Sequence, residues 1–153
     1  MGIDVAKNRM THIGSSRQTH IWLCSLDYVA TGFASVFSQA TPSELAGRTI
    51  GLNEIRPTTL DIEQALARYA GQAPQVAEET VEEMTRQSEE EGRLDALVRK
   101  KMGDGTHGVG DAVWEFGYPK KTLDELIRES VVDEDPYVPP TEDSVHFLDM
   151  YFL

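Results

Sequence analysis

Cysteine is nearly absent from these 153 residues: Cys24 stands alone, so no internal disulfide and no thiolate metal site can form. Long apolar runs are missing too. "HIWLC" and the closing "HFLDMYFL" fall far short of the roughly 20 residues that cross a membrane, so no membrane association is expected. The opening "MGIDVAKNRMTHIG" lacks a basic segment followed by an apolar one, and with a single cysteine the expected compartment is cytoplasmic. Basic residues are scarce, 14 Lys and Arg against 26 Asp and Glu, giving a net charge of -12. Clustered cations of the kind that release phosphate counterions are therefore lacking, and nucleic acid is excluded as an expected partner. His12, His20, His107 and His146 have no metal-ligand spacing, so no metal site is expected. "GSSR" at 14–17 lacks the second glycine of a nucleophile elbow.

What is present is an ordinary globular composition, 40% hydrophobic, with the acidic imbalance confined to two places. Residues 78–91, "EETVEEMTRQSEEE", hold seven acids and one base; residues 131–153 hold six acids and no base. The first reads as a solvated helix face. The second, an acidic tail with three prolines, is expected to be extended or disordered.

Between them the chain alternates. "THIWLC" at 19–24 reads as a buried strand. Ser25 then caps a helix whose residues Leu26, Val29, Ala30, Phe33, Val36, Phe37 and Ala40 recur at helical spacing and predict one inward face, ending before Pro42. "RTIGLN" reads as a second strand, followed by a helix capped by Thr58 and Asp61, with Ile62, Leu66 and Tyr69 inward and Gly71 as its stop. "APQVAEET" adds a short strand; charged helices over 79–90 and 93–102 break at Gly92. A last helix follows a Thr122 and Glu125 capping box, with Leu123, Leu126 and Ile127 inward. The fold class is α/β and helix-rich.

Gly103-Asp104-Gly105-Thr106-His107-Gly108 spells G-x-G-x-x-G, the letters of a dinucleotide turn. Such a turn needs a strand before it and a helix after it, so that the helix amino terminus meets the pyrophosphate. Here "RLDALVRKKM" precedes it with helical periodicity, and "DAVWEFGYP" follows with none. The reading is a helix stop and a loop, with no cofactor-binding residues. Cys24 has no activating neighbour in sequence and reads as an inert core thiol. The remaining signal is aromatic: His20 and Trp22 alternate in the first strand, and Trp114, Phe116 and Tyr118 alternate after the glycine loop. Either set can line an apolar pocket for a small apolar ligand, or simply pack in the core. No residue is assigned a catalytic role.

The run from "HIWLCSLDYVATGF" through "GRTIGLN" and "TTLDIEQAL" to "WEFGYPKKTLDEL" resembles the carboxyl-terminal half of the NmrA-like and isoflavone-reductase-like family, atypical short-chain dehydrogenase/reductase proteins, over residues 19–130. The resemblance implies a substrate-side lobe of a Rossmann-type protein. The family's NADP(H)-binding turn and catalytic lysine belong to its amino-terminal half and have no positions here. Residues 1–18 are then a flexible segment and 131–153 a tail. The "RTIGLN" strand would lack sheet neighbours, which predicts self-association or a protein partner covering its edge. Three readings stay open: a truncated oxidoreductase-like chain without redox activity of its own, a non-catalytic binding or regulatory module, and a cofactor-free isomerase or cyclase.

Overall fold

A computed structural model describes residues 2–106 and 112–132. The chain order is β1 (Ile3–Asp4), β2 (Arg9–Ile13), α1 (Leu26–Gln39), α2 (Pro42–Leu45), β3 (Ile50–Gly51), α3 (Thr59–Ala70), β4 (Gln75–Glu79), α4 (Val81–Glu90), α5 (Leu94–Asp104), β5 (Ala112–Val113) and α6 (Leu123–Val132). The main sheet has the order β1-β2-β4, with β1 antiparallel and β4 parallel to the central β2. A second sheet pairs β3 with β5 in parallel. This is a small mixed α/β domain.

The first eighteen residues, expected to be a flexible segment, instead supply two of the three strands of the main sheet. Asn8 makes their turn: its backbone sits at φ 48, tolerated by a short amide side chain, and Nδ2 donates to the carbonyls of Gln72 (3.3 Å) and Ala73 (3.4 Å). The turn is thereby tied to the start of β4. Alternation along β2 puts Met10 and His12 on one face and Ile13 on the other. Met10 clusters with Ile62, Ala65 and Leu66 of α3 and Ile127 of α6; Ile13 clusters with Met84 of α4 and Ala96 of α5. Helices thus cover both faces of the central strand β2.

Several local signals form as expected. Thr58 and Asp61 make a reciprocal capping box on α3, and Gly71 ends that helix at φ 68. Thr122 and Glu125 exchange the same bonds before α6. Gly92, at φ 67, separates α4 from α5. The acidic run becomes β4 and the solvated α4, where Arg86 bridges Glu83 and Glu91.

Four expectations are corrected. "THIWLC" joins neither sheet; it runs extended and makes antiparallel bridges, His20 to Thr58 and Leu23 to Ile55, because residues 53–58 return alongside it. The "RTIGLN" strand shrinks to two residues paired with β5, so among the described residues the unpaired edge of interest belongs to β4 instead. Tyr69 stands 47% exposed, outside the inward face of α3. Most consequential, the inward face of α1 is shifted: Val36 is buried as expected, but it is joined by Tyr28, Gly32 and Ser35, while Leu26, Ala30, Phe33 and Phe37 face solvent. Gly32 explains the choice, since a Cβ there would lie 2.8 Å from Leu52 and 3.2 Å from Phe116. The lack of a side chain at Gly32 lets α1 approach Leu52 and Phe116 closely at that point. The tail 133–153 lies outside the described residues.

The capping carboxylates give a pH prediction. Asp61 is held below the usual carboxylate range, first by the Thr58 backbone N–H and then by the Thr58 hydroxyl. A depressed acid stabilises above its unfolded pKa and loses that contribution as pH falls through its folded value. Wild type should therefore melt above Asp61→Asn at pH 6, and the two melting temperatures should converge as the pH falls below the ordinary carboxylate range. A gap independent of pH, read by circular dichroism, would contradict this.

Candidate functional site

The aromatic residues expected to line a pocket are only partly brought together. Phe116 and Tyr118 converge on Tyr28, with ring centroids 4.6 and 6.1 Å away. Trp114 packs along α1 and donates its indole N–H to Ser35 Oγ at 3.0 Å. Trp22 lies against Gly51, close enough that a Cβ there would sit 2.4 Å from its ring. His20 stands apart: its Nδ1 pairs with the Arg56 carbonyl at 2.7 Å. Tyr28 is fully buried, whereas Trp22, Trp114, Phe116 and Tyr118 are half-buried. The result is an apolar wall of Trp114, Phe116 and Tyr118 along α1, with Trp22 at Gly51 and His20 at the Arg56 carbonyl.

Behind this wall lies a residue with no sequence signal of its own. Glu54 is only 3% exposed, and its two oxygens accept from the Ser25 N–H (2.6 Å) and the Lys121 N–H (2.9 Å). One carboxylate therefore pins the entry of α1 and the entry of α6 to the same loop. Cys24, beside it, donates its thiol to the Leu52 carbonyl at 3.4 Å, and burial pushes the pKa of that thiol upward. A thiol kept protonated is a poor nucleophile.

A second polar cluster sits where β2 and β4 end. Their carboxyl ends open onto a cleft of about 550 Å³ whose walls include His12, Gly14, Arg17, Glu78 and Thr80. Ligands of open α/β sheets bind at this end of parallel strands. His12 Nε2 donates to Glu63 at 2.7 Å, since a carboxylate can only accept, and Nδ1 lies 2.8 Å from Thr59 Oγ1. Thr59 Oγ1 in turn lies 3.1 Å from Ser16 Oγ, which accepts from the Ile13 N–H. Arg17 closes the chain by bridging Glu63 (3.3 Å) and Glu78 (3.1 Å).

Hydroxyl, imidazole and carboxylate in series look like a nucleophilic relay, but burial decides otherwise. Ser16 is 1% exposed, and Thr59 and His12 are each 2% exposed, so no substrate carbonyl reaches either hydroxyl. The network's work is mechanical: it fastens β2 and the turn after it to the first turn of α3. Its sequence signal was the polar His12 alternating with apolar Met10, opposite Thr59 and Glu63 at helical spacing. A search for metal-ligand spacing passes over that pattern. Among the described residues no group of acids, histidines and cysteine is arranged to hold a metal.

The glycine loop is placed by its first half. Gly103 lies inside α5 and Gly105 ends that helix at φ 80, with the Asp104 side chain accepting from the Thr106 N–H at 2.9 Å. His107 and Gly108 lie outside the described residues. A helix therefore enters this glycine run, where a dinucleotide turn requires a strand. No helix of the described residues is long and apolar enough to cross a membrane. No family model, curated protein or solved structure matches this chain.

Proposed function

We propose that these residues form the substrate-side lobe of an NmrA-like, atypical short-chain dehydrogenase/reductase-type protein, and that this lobe has no redox activity alone. The observation that supports the reading most is the open sheet. Among the described residues β4 pairs with β2 on one side only, and four of its five residues, Gln75 to Glu78, are exposed. An unpaired strand edge is open to pairing with another chain, so the lobe calls for a protein partner or a second copy along that edge. The half-buried wall of Trp22, Trp114, Phe116 and Tyr118 suits a small apolar ligand.

A non-catalytic binding or regulatory module is the second reading, and the sealed Ser16, Thr59 and His12 network favours it over a cofactor-free isomerase or cyclase. Calorimetric titration with NADPH separates these readings from a self-sufficient oxidoreductase. No saturable heat is expected up to about 1 mM, an affinity no better than about -4 kcal/mol. Binding in the micromolar range would overturn the proposal.

A further inference from the structure

We propose that α1 is the contact helix of a homodimer, pairing antiparallel with the α1 of a second copy of this chain. Among the described residues, one face of α1 is left uncovered. Leu26, Ala30, Phe33 and Phe37 recur at spacings of four, three and four, which is the spacing of a helix-pairing seam. All four are exposed: Leu26 is 82%, Phe33 56% and Phe37 74% accessible. The two phenylalanine rings stack on one another, centroids 6.3 Å apart, and form a continuous ridge.

Charge argues for a second copy as the occupant. Each chain carries a net charge of -12, so two copies repel wherever acidic surfaces meet. The α1 segment, "LDYVATGFASVFSQ", is an exception, because its single charged residue is Asp27, whose carboxylate lies 3.7 Å from Lys121 Nζ. This neutral ridge is where like-charged chains meet at least cost.

Orientation follows from the same residues. An antiparallel two-fold sets Leu26 against Phe37 of the second copy, and the small Ala30 against the large Phe33, so bulk meets space at each level. The two Asp27 carboxylates then lie about 13 Å apart along the axis, beyond the screening length of about 8 Å at physiological salt. A parallel pair would set those carboxylates side by side. Six large apolar side chains leave water across the two copies, roughly 600–900 Å² in all, which places the interface at the weak end with a Kd of about 10–100 µM.

Sedimentation of the full chain over a concentration series tests this. Wild type should move from the 17.0 kDa monomer toward twice that mass between about 1 and 300 µM. Phe33→Glu with Phe37→Glu should remain monomeric across the series, with an unchanged thermal melt at low concentration. Leu26→Lys and Phe37→Glu should each abolish dimers singly. Combined in one chain they should recover only part of the association, because an exposed ion pair is worth less than the apolar contact it replaces, yet antiparallel pairing alone brings the introduced lysine of one copy to the introduced glutamate of the other. A wild type that stays monomeric overturns the proposal, as does a dimer that survives the Phe33 and Phe37 changes, which would place the contact elsewhere, such as the β4 edge. A combined variant that associates no more than Phe37→Glu alone overturns the antiparallel arrangement.

Discussion

Glu54→Ala is expected to lower the stability of the folded chain by about 2–4 kcal/mol, a large effect for a single substitution. The side chain is removed from a site 3% exposed, and the loss of its two acceptors leaves the Ser25 and Lys121 N–H groups without partners. Each bond to an ionised acceptor contributes about 1.5–3 kcal/mol, and the two together are offset in part by relief of the carboxylate's desolvation and by water reaching the half-buried donors. For a chain of this size the melting temperature should fall by roughly 5–15 °C. Glu54→Gln keeps the shape and one carbonyl acceptor, so about half the loss is expected, on the order of 1–2 kcal/mol. Urea denaturation of both variants at low protein concentration measures this. An alanine variant within about 0.5 kcal/mol of wild type would show that the two helix entries are held by something other than this carboxylate.

Gly103→Ala is expected to be comparably damaging. Ordinarily the change stabilises a helix interior by about 1 kcal/mol. Here the new Cβ would lie 2.6 Å from Ile13 Cγ2 and 2.9 Å from the Ile13 carbonyl oxygen. The second contact is with backbone and cannot swing aside, so α5 must withdraw from β2 and disturb the bond from Ser15 Oγ to the Gly103 carbonyl (2.9 Å). A net loss of about 2–4 kcal/mol is expected, with Gly103→Val worse. Gly117→Ala is the matched control, since a Cβ there meets nothing within 4 Å. It should stay within about 0.5 kcal/mol of wild type. The comparison also separates two meanings of the same glycine: in a nucleotide turn Gly103→Ala would impair NADPH binding with little effect on the melt. Here the melt should bear the whole effect.

These residues mark the limit of what sequence reasoning could reach. The capping boxes at Thr58 and Thr122, the glycine stops and the strand at Gln75–Glu79 were legible because neighbouring residues determine them. The facing of α1 was not. Helical periodicity identifies an apolar face, but which face packs depends on how near another backbone must come, and the contact with Leu52 and Phe116 required Gly32. The amino-terminal strands were missed because each is short and their turn uses Asn8, held by carbonyls more than sixty residues away. Glu54 was invisible for a similar reason: an isolated acid in a loop reads as surface until two distant helix entries are seen to converge on it. The aromatic wall fell between these cases, with local alternation grouping Phe116 and Tyr118 and only the fold supplying Tyr28 between them.

The parallel pairing of β2 with β4 also governs how the protein is made. Arg9 pairs with Gln75 and Ile13 with Glu79, so the central strand is synthesised long before the strand that completes it. At about 5–20 residues per second, that interval is on the order of 3–15 s. During it Met10 and Ile13, later buried, have no β4 beside them and neither α3 nor α5 behind them. The β1 hairpin partner is ready at once, and it occupies one edge of β2 while the other waits. A nascent chain is therefore exposed to chaperone capture until α3, β4 and then α5 emerge, and substitutions that weaken the Asn8 anchor should reduce folding yield more than final stability.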